Sequence, residues 1–571
     1  ASPSTLHCAL SRFVRANTNI PQLMALVVTT AFVMAHATSW KAPPSARVPP
    51  GANRVLFTTD FKVNTEVNQF LDVADALREE GVESHFLIFP EFSKKVESRG
   101  YAHTVLELPE CYDEKEVSDK VVGIQAAKDW AEYVAIFMRE LPAIGACLYP
   151  ARFQAVNATI SSFRPNALVA SMFSVSALDL AEHHELPLAV NIAGSIGFWQ
   201  DYEDSPAAPD AFLWQSMPHE HPSFWLRLRK YRRMFQIVST AIVLGLGAVE
   251  NGVRAAHGLR TYVGPPDYSK AAAVLFSTSP GADVMRKMSP RSHATGFLTT
   301  PYSPPALGPP AADQAMISYL DDRPGGVAFM ALGTLAWLPQ EEFDELMAGL
   351  GAWVAAGERR GAVVCLNENS QQRLDLSRVD RRVINVQSWS NQKMALAHAH
   401  TRAFVTHAGV GSLGEAIVSG TPMLAVPRFG DQMANAMRLV EAGVAEIIHT
   451  RVTKLERTDV TAKLTRLTSD PAVAAAVEFQ SRVNARAGGP KRAAQIIGDL
   501  LVLGRMDHMI PIEAKTPFCA AIDLDVKLLF VGVAIALVKI SRAAARLLKD
   551  RCGRASGLGT DAKPSKATKT A

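Results

Sequence analysis

The chain has 571 residues, enough for two large domains or three smaller ones. A hydrophobic content of 48% with 20% charged residues excludes general disorder, and 36 Gly with 34 Pro in no fixed period exclude a collagen-like chain. Six cysteines in this length do not make a disulfide scaffold, and a net charge of +4 excludes a globally basic nucleic-acid binder.

At the N-terminus, Arg12 and Arg15 precede an apolar run at residues 23–35, then Ala35-His36-Ala37. This is the charged, apolar and small-x-small order of a secretory signal, which predicts removal of residues 1–37. A buried or anchoring helix is the alternative. Residues 45–298 read as a first domain: a strand at 54–59, a helix at 67–80 ending at Gly81 and a strand at 86–89 make a βαβ unit, hence a parallel sheet. Asn157-Ala158-Thr159 is a glycosylation sequon if the body is lumenal. Residues 224–246 interleave basic residues with Trp225, Tyr231 and Phe235 and run into an apolar stretch, which suits a lipid headgroup boundary or a core helix with one basic face. Five prolines within residues 299–310 mark an interdomain linker at 299–311.

The same grammar returns in a second domain at 312–505. Short apolar runs at 327–332, 362–366, 383–386, 402–406 and 423–426 alternate with helical stretches at 340–354, 392–399, 411–419 and 432–442. Two doubly wound α/β domains place a ligand cleft between the carboxyl ends of their strands. Near the C-terminus, residues 528–538 are uninterrupted apolar sequence between Lys527 and Lys539. After Val538 come nine Lys/Arg against Asp550 and Asp561, a net of +7, which leaves about −3 for the rest. A membrane anchor at 526–548 and a cytosolic basic tail at 549–571 follow, with a lumenal body in a single-pass type I arrangement. An amphipathic helix on a membrane surface is the alternative, since Arg542, Arg546 and Lys549 recur at helical spacing. In that topology only Cys111, Cys147, Cys365 and Cys519 can pair, and no Cys/His spacing indicates a metal.

The densest chemistry lies at residues 388–435. Gly409-Val410-Gly411-Ser412-Leu413-Gly414 follows a strand and opens a helix, so backbone N–H groups can approach a phosphate closely. As a dinucleotide fingerprint it lacks the acidic residue after the next strand; Pro427-Arg428 there suits NADP at best. His407 can donate to a diphosphate, Glu415 can accept from a ribose hydroxyl, Trp389 offers a face for a base and Gln392 a paired donor and acceptor for its edge. Asp431 and Gln432 are placed to bind sugar hydroxyls.

This run resembles the donor-binding signature of the UDP-glycosyltransferases of glycosyltransferase family 1. Trp389 and Gln392 match its W-x-x-Q, Thr406-His407-Ala408-Gly409 its T-H-G-G, Glu415-Ala416 its E-A, and Pro427 to Gln432 its P-x-x-x-D-Q; Gly333 and Thr334 fall at its phosphate loop. The resemblance implies a GT-B fold and inverting transfer of a hexose or hexuronic acid from a UDP-sugar to a lipophilic small molecule. The UDP-sugar is then a co-substrate, with neither metal nor other cofactor, the partners are donor, acceptor and membrane, with no nucleic acid, and the location is the endoplasmic reticulum or another endomembrane. The stretch at 224–246 resembles the membrane-dipping helices of the animal-type members.

The resemblance breaks at the catalytic pair. The family's base, a His after the first strand, falls at Glu66, and the Asp that orients it falls at Ser171. A carboxylate needs no partner to fix a tautomer, so Glu66 is the candidate base, with Asp60 a weaker one and a solvated helix-start glutamate the bland reading. Near its reference pKa of about 4.3 a glutamate is a weak base toward an alcohol, and an apolar pocket is what would raise it. Two other functions fit: a non-catalytic UDP-sugar-binding membrane protein, since the pair is changed, and an NADP-dependent oxidoreductase, on the glycine loop alone.

Overall fold

The structure, a computed structural model, describes residues 53–59, 62, 64–126, 130–194, 247–261, 271–283, 288–304, 309–333, 336–388, 390–428, 430–449, 454–509 and 524–556. The signal at 1–37, the stretch at 224–246, Asp60, Thr334, Trp389 and the end of the basic tail lie outside them. Among the described residues there are two compact units, a body within Pro43–Ile510 and a separate unit that contains the C-terminal helix.

The body opens as its sequence predicts. Strand β1 (Arg54–Thr58) leads to helix α1 (Asn64–Glu79), and Gly81, at φ +76°, turns the chain into β2 (Glu83–Ile88). Then follow α2 (Ser93–Ser98), β3 (Ala102–Val105), α3 (Glu114–Gln125), α4 (Trp130–Phe163), β4 (Ala167–Ser171), α5 (Val175–His183), β5 (Leu188–Ile192), α6 (Ala248–Ala256), β6 (Ala273–Phe276) and β7 (Ser292–Ala294). All seven strands are parallel, in the order β3-β2-β1-β4-β5-β6-β7. Both faces are covered, which is why the central strands read as unbroken apolar runs rather than alternating ones.

The second domain starts at α7 (Ala311–Asp321) and continues through β8 (Gly326–Ala331), α8 (Gln340–Ala355), β9 (Arg360–Cys365), α9 (Glu368–Arg373), β10 (Ile384–Gln387), α10 (Gln392–Ala397), β11 (Thr401–Thr406), α11 (Val410–Ser419), β12 (Met423–Ala425), α12 (Gln432–Glu441) and β13 (Ala445–Ile447). These six strands are also parallel, ordered β10-β9-β8-β11-β12-β13. Helices α13 (Arg457–Ser469) and α14 (Pro471–Ala487) close the domain. The next helix, α15 (Gly489–Leu503), falls inside the sequence range read as the second domain, but its Ala493, Ile497 and Leu500 are buried in the core of the first. Its apolar stripe covers α1 and the strands behind it, so the chain crosses the domain boundary twice, once at the proline-rich linker and once here.

Three readings from the sequence meet structural facts. Cys111 and Cys147 form a disulfide that ties the segment after β3 to α4, while Cys365 is free. The sequon Asn157 lies inside α4 with its amide oxygen 2.7 Å from His184 Nε2, and Thr159 is buried; a glycan on this half-buried helical residue requires breaking that contact, which counts against the sequon as an acceptor. The apolar segment near the C-terminus is one helix, α16 (Leu524–Ser556), in which Val526–Arg546 has a mean hydropathy of 2.0 and is long and apolar enough to cross a membrane.

Helix α8 carries Gly349 in mid-helix because α13 lies against it: a Cβ there would stand 2.5 Å from Val460 Cβ and 2.9 Å from the Arg457 carbonyl oxygen. Alanine is the better helix former by about 1 kcal/mol in open helix. Gly349→Ala should nevertheless lower stability, by about 1–3 kcal/mol, through overpacking. A denaturant midpoint equal to or above that of the wild type would contradict this close approach.

Candidate functional site

Parallel pairing brings the loops after β8, β11 and β12 to one edge. Ala331 pairs with Thr406, and Thr406 with Ala425, so Gly333 and His407 emerge side by side. A Cβ on Gly333 would stand 2.7 Å from His407 Cε1, and one on Gly409 would collide with its Nε2; both glycines are required by the imidazole between them. Burial drives the His407 pKa down to about 4, so the ring is neutral near pH 7, and its Nδ1 has no hydrogen-bond partner among the described residues. Ala408, where the sequence pattern calls for Gly, adopts φ 65°. That conformation costs an alanine roughly 1–2 kcal/mol. Asn435 Nδ2 holds it by donating to the Ala408 carbonyl at 3.0 Å.

From Gly409 the chain enters α11, whose first turn presents Val410, Gly411 and Ser412 with N–H groups that have no partner within the helix. One turn on, Glu415 accepts from Gln392 Nε2 at 2.7 Å, and the same amide lies 3.3 Å from Ser412 Oγ. Gln392 and Glu415 therefore form one polar unit, a link not apparent from their separation in sequence. Burial raises the Glu415 pKa, opposed by the nearby Lys393 and by the Gln392 bond. Asp431 is raised by burial as well, opposed by Asn435 Nδ2 at 2.7 Å. Gln432 is buried and bonds its own loop, its Oε1 accepting from Arg428 N at 2.8 Å. Arg428 Nη1 bonds Glu342 Oε2 at 2.6 Å, so the guanidinium that the sequence offered to a 2′-phosphate is bound to a carboxylate of α8.

The first domain contributes the ends of β1, β4, β5 and β6. Glu66, in the first turn of α1, is 3% exposed, and Ser171 Oγ donates to its Oε1 at 2.6 Å. The two positions that depart from the family pattern are thus in direct contact, although 105 residues separate them. One turn along α1, Gln69 accepts from Asn191 Nδ2 at 2.8 Å and donates to Ser277 Oγ at 2.9 Å. Beside Glu66, Thr65 lies against the glycine helix: a Cβ on Gly411 would be 2.6 Å from Thr65 Oγ1. The first turns of α1 and α11 therefore face each other across the domain boundary, one carrying a carboxylate and the other an anion-binding helix end.

A separate group, Asp321, His398 and His400, sits at the opposite end of β11. His398 Nδ1 accepts from His400 N at 3.2 Å, which leaves the ring proton on Nε2, directed at Asp321. With that proton in place Nε2 has no lone pair for a metal.

Residues 316–484 match the family described as UDP-glucuronosyl and UDP-glucosyl transferase. A UDP-glycosyltransferase of Aspergillus ustus is 26% identical over 321 residues, 52% of this chain and 57% of the relative. The UDP-glycosyltransferase CGT of Oryza sativa subsp. indica is 30% identical over 197 residues, 31% of this chain and 40% of that one. The matches span about half the length of these curated relatives. Among solved structures the glycotransferase of kitacinnamycin has the same fold, with a TM-score of 0.53 and 18% identity over 79% of this chain and 99% of that one. Two parallel-sheet Rossmann-like domains facing a cleft are the GT-B arrangement.

His407 carries a pH signature. Below its ordinary value of 6.5 the unfolded chain takes up a proton that the folded chain refuses, so folded stability falls as pH drops from about 6.5 toward 4. The loss between pH 7.5 and 5 is about 2 kcal/mol. His407→Gln should remove that component, so the stability gap between wild type and variant in urea titrations should narrow by this amount on acidification. A gap independent of pH would show that the imidazole titrates normally.

Proposed function

From the match of residues 316–484 to the UDP-glucuronosyl and UDP-glucosyl transferase family, we propose that this chain moves a hexose or hexuronic acid from a UDP-sugar to a hydroxyl of a lipophilic small molecule, with inversion. The observation that carries the reading is the Ser171–Glu66 hydrogen bond, placed where α1 meets the glycine helix. Glu66 takes the proton from the acceptor hydroxyl as its oxygen attacks the anomeric carbon; the bond from that carbon to the diphosphate oxygen breaks, and UDP leaves. A single displacement inverts the centre. Ser171 orients the carboxylate by donating to one of its oxygens, the part an Asp plays toward a His base. Charge developing on UDP meets the first-turn N–H groups of α11 and the imidazole of His407.

In the same reading Gly333, Thr334, Gly409, Gly411 and Ser412 surround the diphosphate, Trp389 stacks on the base, Gln392 and Glu415 bind the ribose side, and Asp431, with Gln432 holding its loop, reads the sugar. Burial destabilises the ionised forms of Glu415 and Asp431, a cost to the fold that bound hydroxyl donors offset. The lipophilic acceptor class rests on the apolar helix Val526–Arg546, which we propose as a membrane anchor of an endomembrane protein with a lumenal body. The disulfide between Cys111 and Cys147 fits that oxidising side.

UDP release from UDP-glucose and UDP-glucuronate with a pool of hydrophobic acceptors tests the reading. Glu66→Gln should lower turnover about 10²–10⁴-fold with UDP affinity kept. Ser171→Ala should give a smaller loss, and His407→Ala should weaken UDP binding itself. UDP bound by the wild type but never released from any donor would instead favour a non-catalytic binding protein. For the anchor, alkaline carbonate should leave the full chain in the membrane pellet; extraction into the supernatant would dismiss a spanning helix.

A further inference from the structure

Helix α1 has two working stripes. Residues 66, 69 and 73 fall on one, and this stripe faces the strand ends of its own domain through Glu66–Ser171, Gln69–Asn191 and Gln69–Ser277. Residues 65, 68 and 72 fall on the adjacent one, which faces the second domain. Thr65 abuts Gly411 of the glycine helix. Asn68, with Asn64, accepts from Lys95, an ammonium that burial pulls below the usual lysine value and Glu415 pulls back up.

Asp72 closes this stripe. Its side chain is 2% exposed, and it collects Lys393 Nζ at 2.6 Å, Arg99 Nη2 at 3.0 Å and the backbone N–H of Thr300 at 3.0 Å. Those three partners belong to the second domain, the first domain and the interdomain linker. Lys393 also stands next to Gln392, which grips Glu415 and Ser412. A buried carboxylate paired with cations contributes little net stability compared with an apolar contact, because both charges lose their water. What such a group supplies is a preferred geometry, since any other arrangement of the two domains gives up the Lys393 bond to a carboxylate that is already removed from water.

We propose that Asp72 is the positioning residue that sets the distance between Glu66 and the donor bound on α11. It does so by fixing α1 against α10 and the linker, and it touches neither substrate. The inference deepens the transferase reading and rests on it. The same contact makes closure depend on the segment at 392–393, which carries part of the donor site.

The test uses the full-length protein with Asp72→Asn, Lys393→Gln and the double substitution. UDP affinity is read by calorimetry, turnover by UDP release, and docking by hydrogen exchange at residues 64–72 and 392–399. In Asp72→Asn turnover should fall about 10- to 100-fold from misplacement of the reacting groups. UDP affinity should fall much less than turnover, because no side chain that binds the donor is removed. Exchange should quicken in both segments together, and the double variant should be no worse than Asp72→Asn alone. Unchanged turnover, additive losses, or faster exchange confined to 64–72 would overturn the proposal. Should Asp72→Asn not fold, Lys393→Gln, which alters the more exposed partner, decides by the same readouts. Should the wild type release no UDP from any donor, the transferase reading fails by itself; exchange in Asp72→Asn still decides whether this carboxylate couples the two segments.

Discussion

The structure turns on the meeting of two helix starts. α1 and α11 each follow a central strand of a parallel sheet, and in each case the strand–loop–helix turn delivers the first helical turn to the carboxyl edge of its sheet. Thr65 against Gly411 leaves no room for a side chain between them. That contact places a buried carboxylate opposite a helix end whose N–H groups attract anions. The linker, the ion pairs of Asp72 and the return of α15 onto the first domain all serve to keep the two turns in register.

The electrostatics of the cleft run against fold stability. His407 is held neutral, and Glu415 and Asp431 are pushed toward protonation, by the same cause, removal from water. Ala408 adds a left-handed backbone where glycine would sit without strain. Such features persist when the surrounding structure over-determines them, and here it does: Asn435 bonds both Ala408 and Asp431, and Gln392 spans Ser412 and Glu415. The second domain thus carries a pre-organised polar site on a scaffold whose central strands are buried and largely apolar.

Much of this was legible along the chain. Every strand read from an apolar run in the second domain is present within one or two residues, because a doubly covered parallel strand must be apolar on both faces. Gly81 was readable as a helix end, and the glycines after His407 as a loop that a phosphate can approach closely. Less legible were the bonds that Gln432 and Arg428 make within the protein, to the loop before α12 and to the start of α8. α15 carries no mark of the domain it covers, since an amphipathic stripe does not name its partner.

By itself the sequence determined the two α/β domains, the proline-rich joint, the glycine loop and the pair of departures at Glu66 and Ser171. These rest on local preference and on patterns of burial that each segment carries alone. Only the tertiary structure decided that Ser171 donates to Glu66, that Gln392 holds Glu415, and that Asp72 binds both domains and the linker. The physical reason is distance along the chain: a hydrogen bond across 105 residues, or an ion pair across 321, depends on the register of two sheets and the closure of a cleft, and no window of sequence contains either.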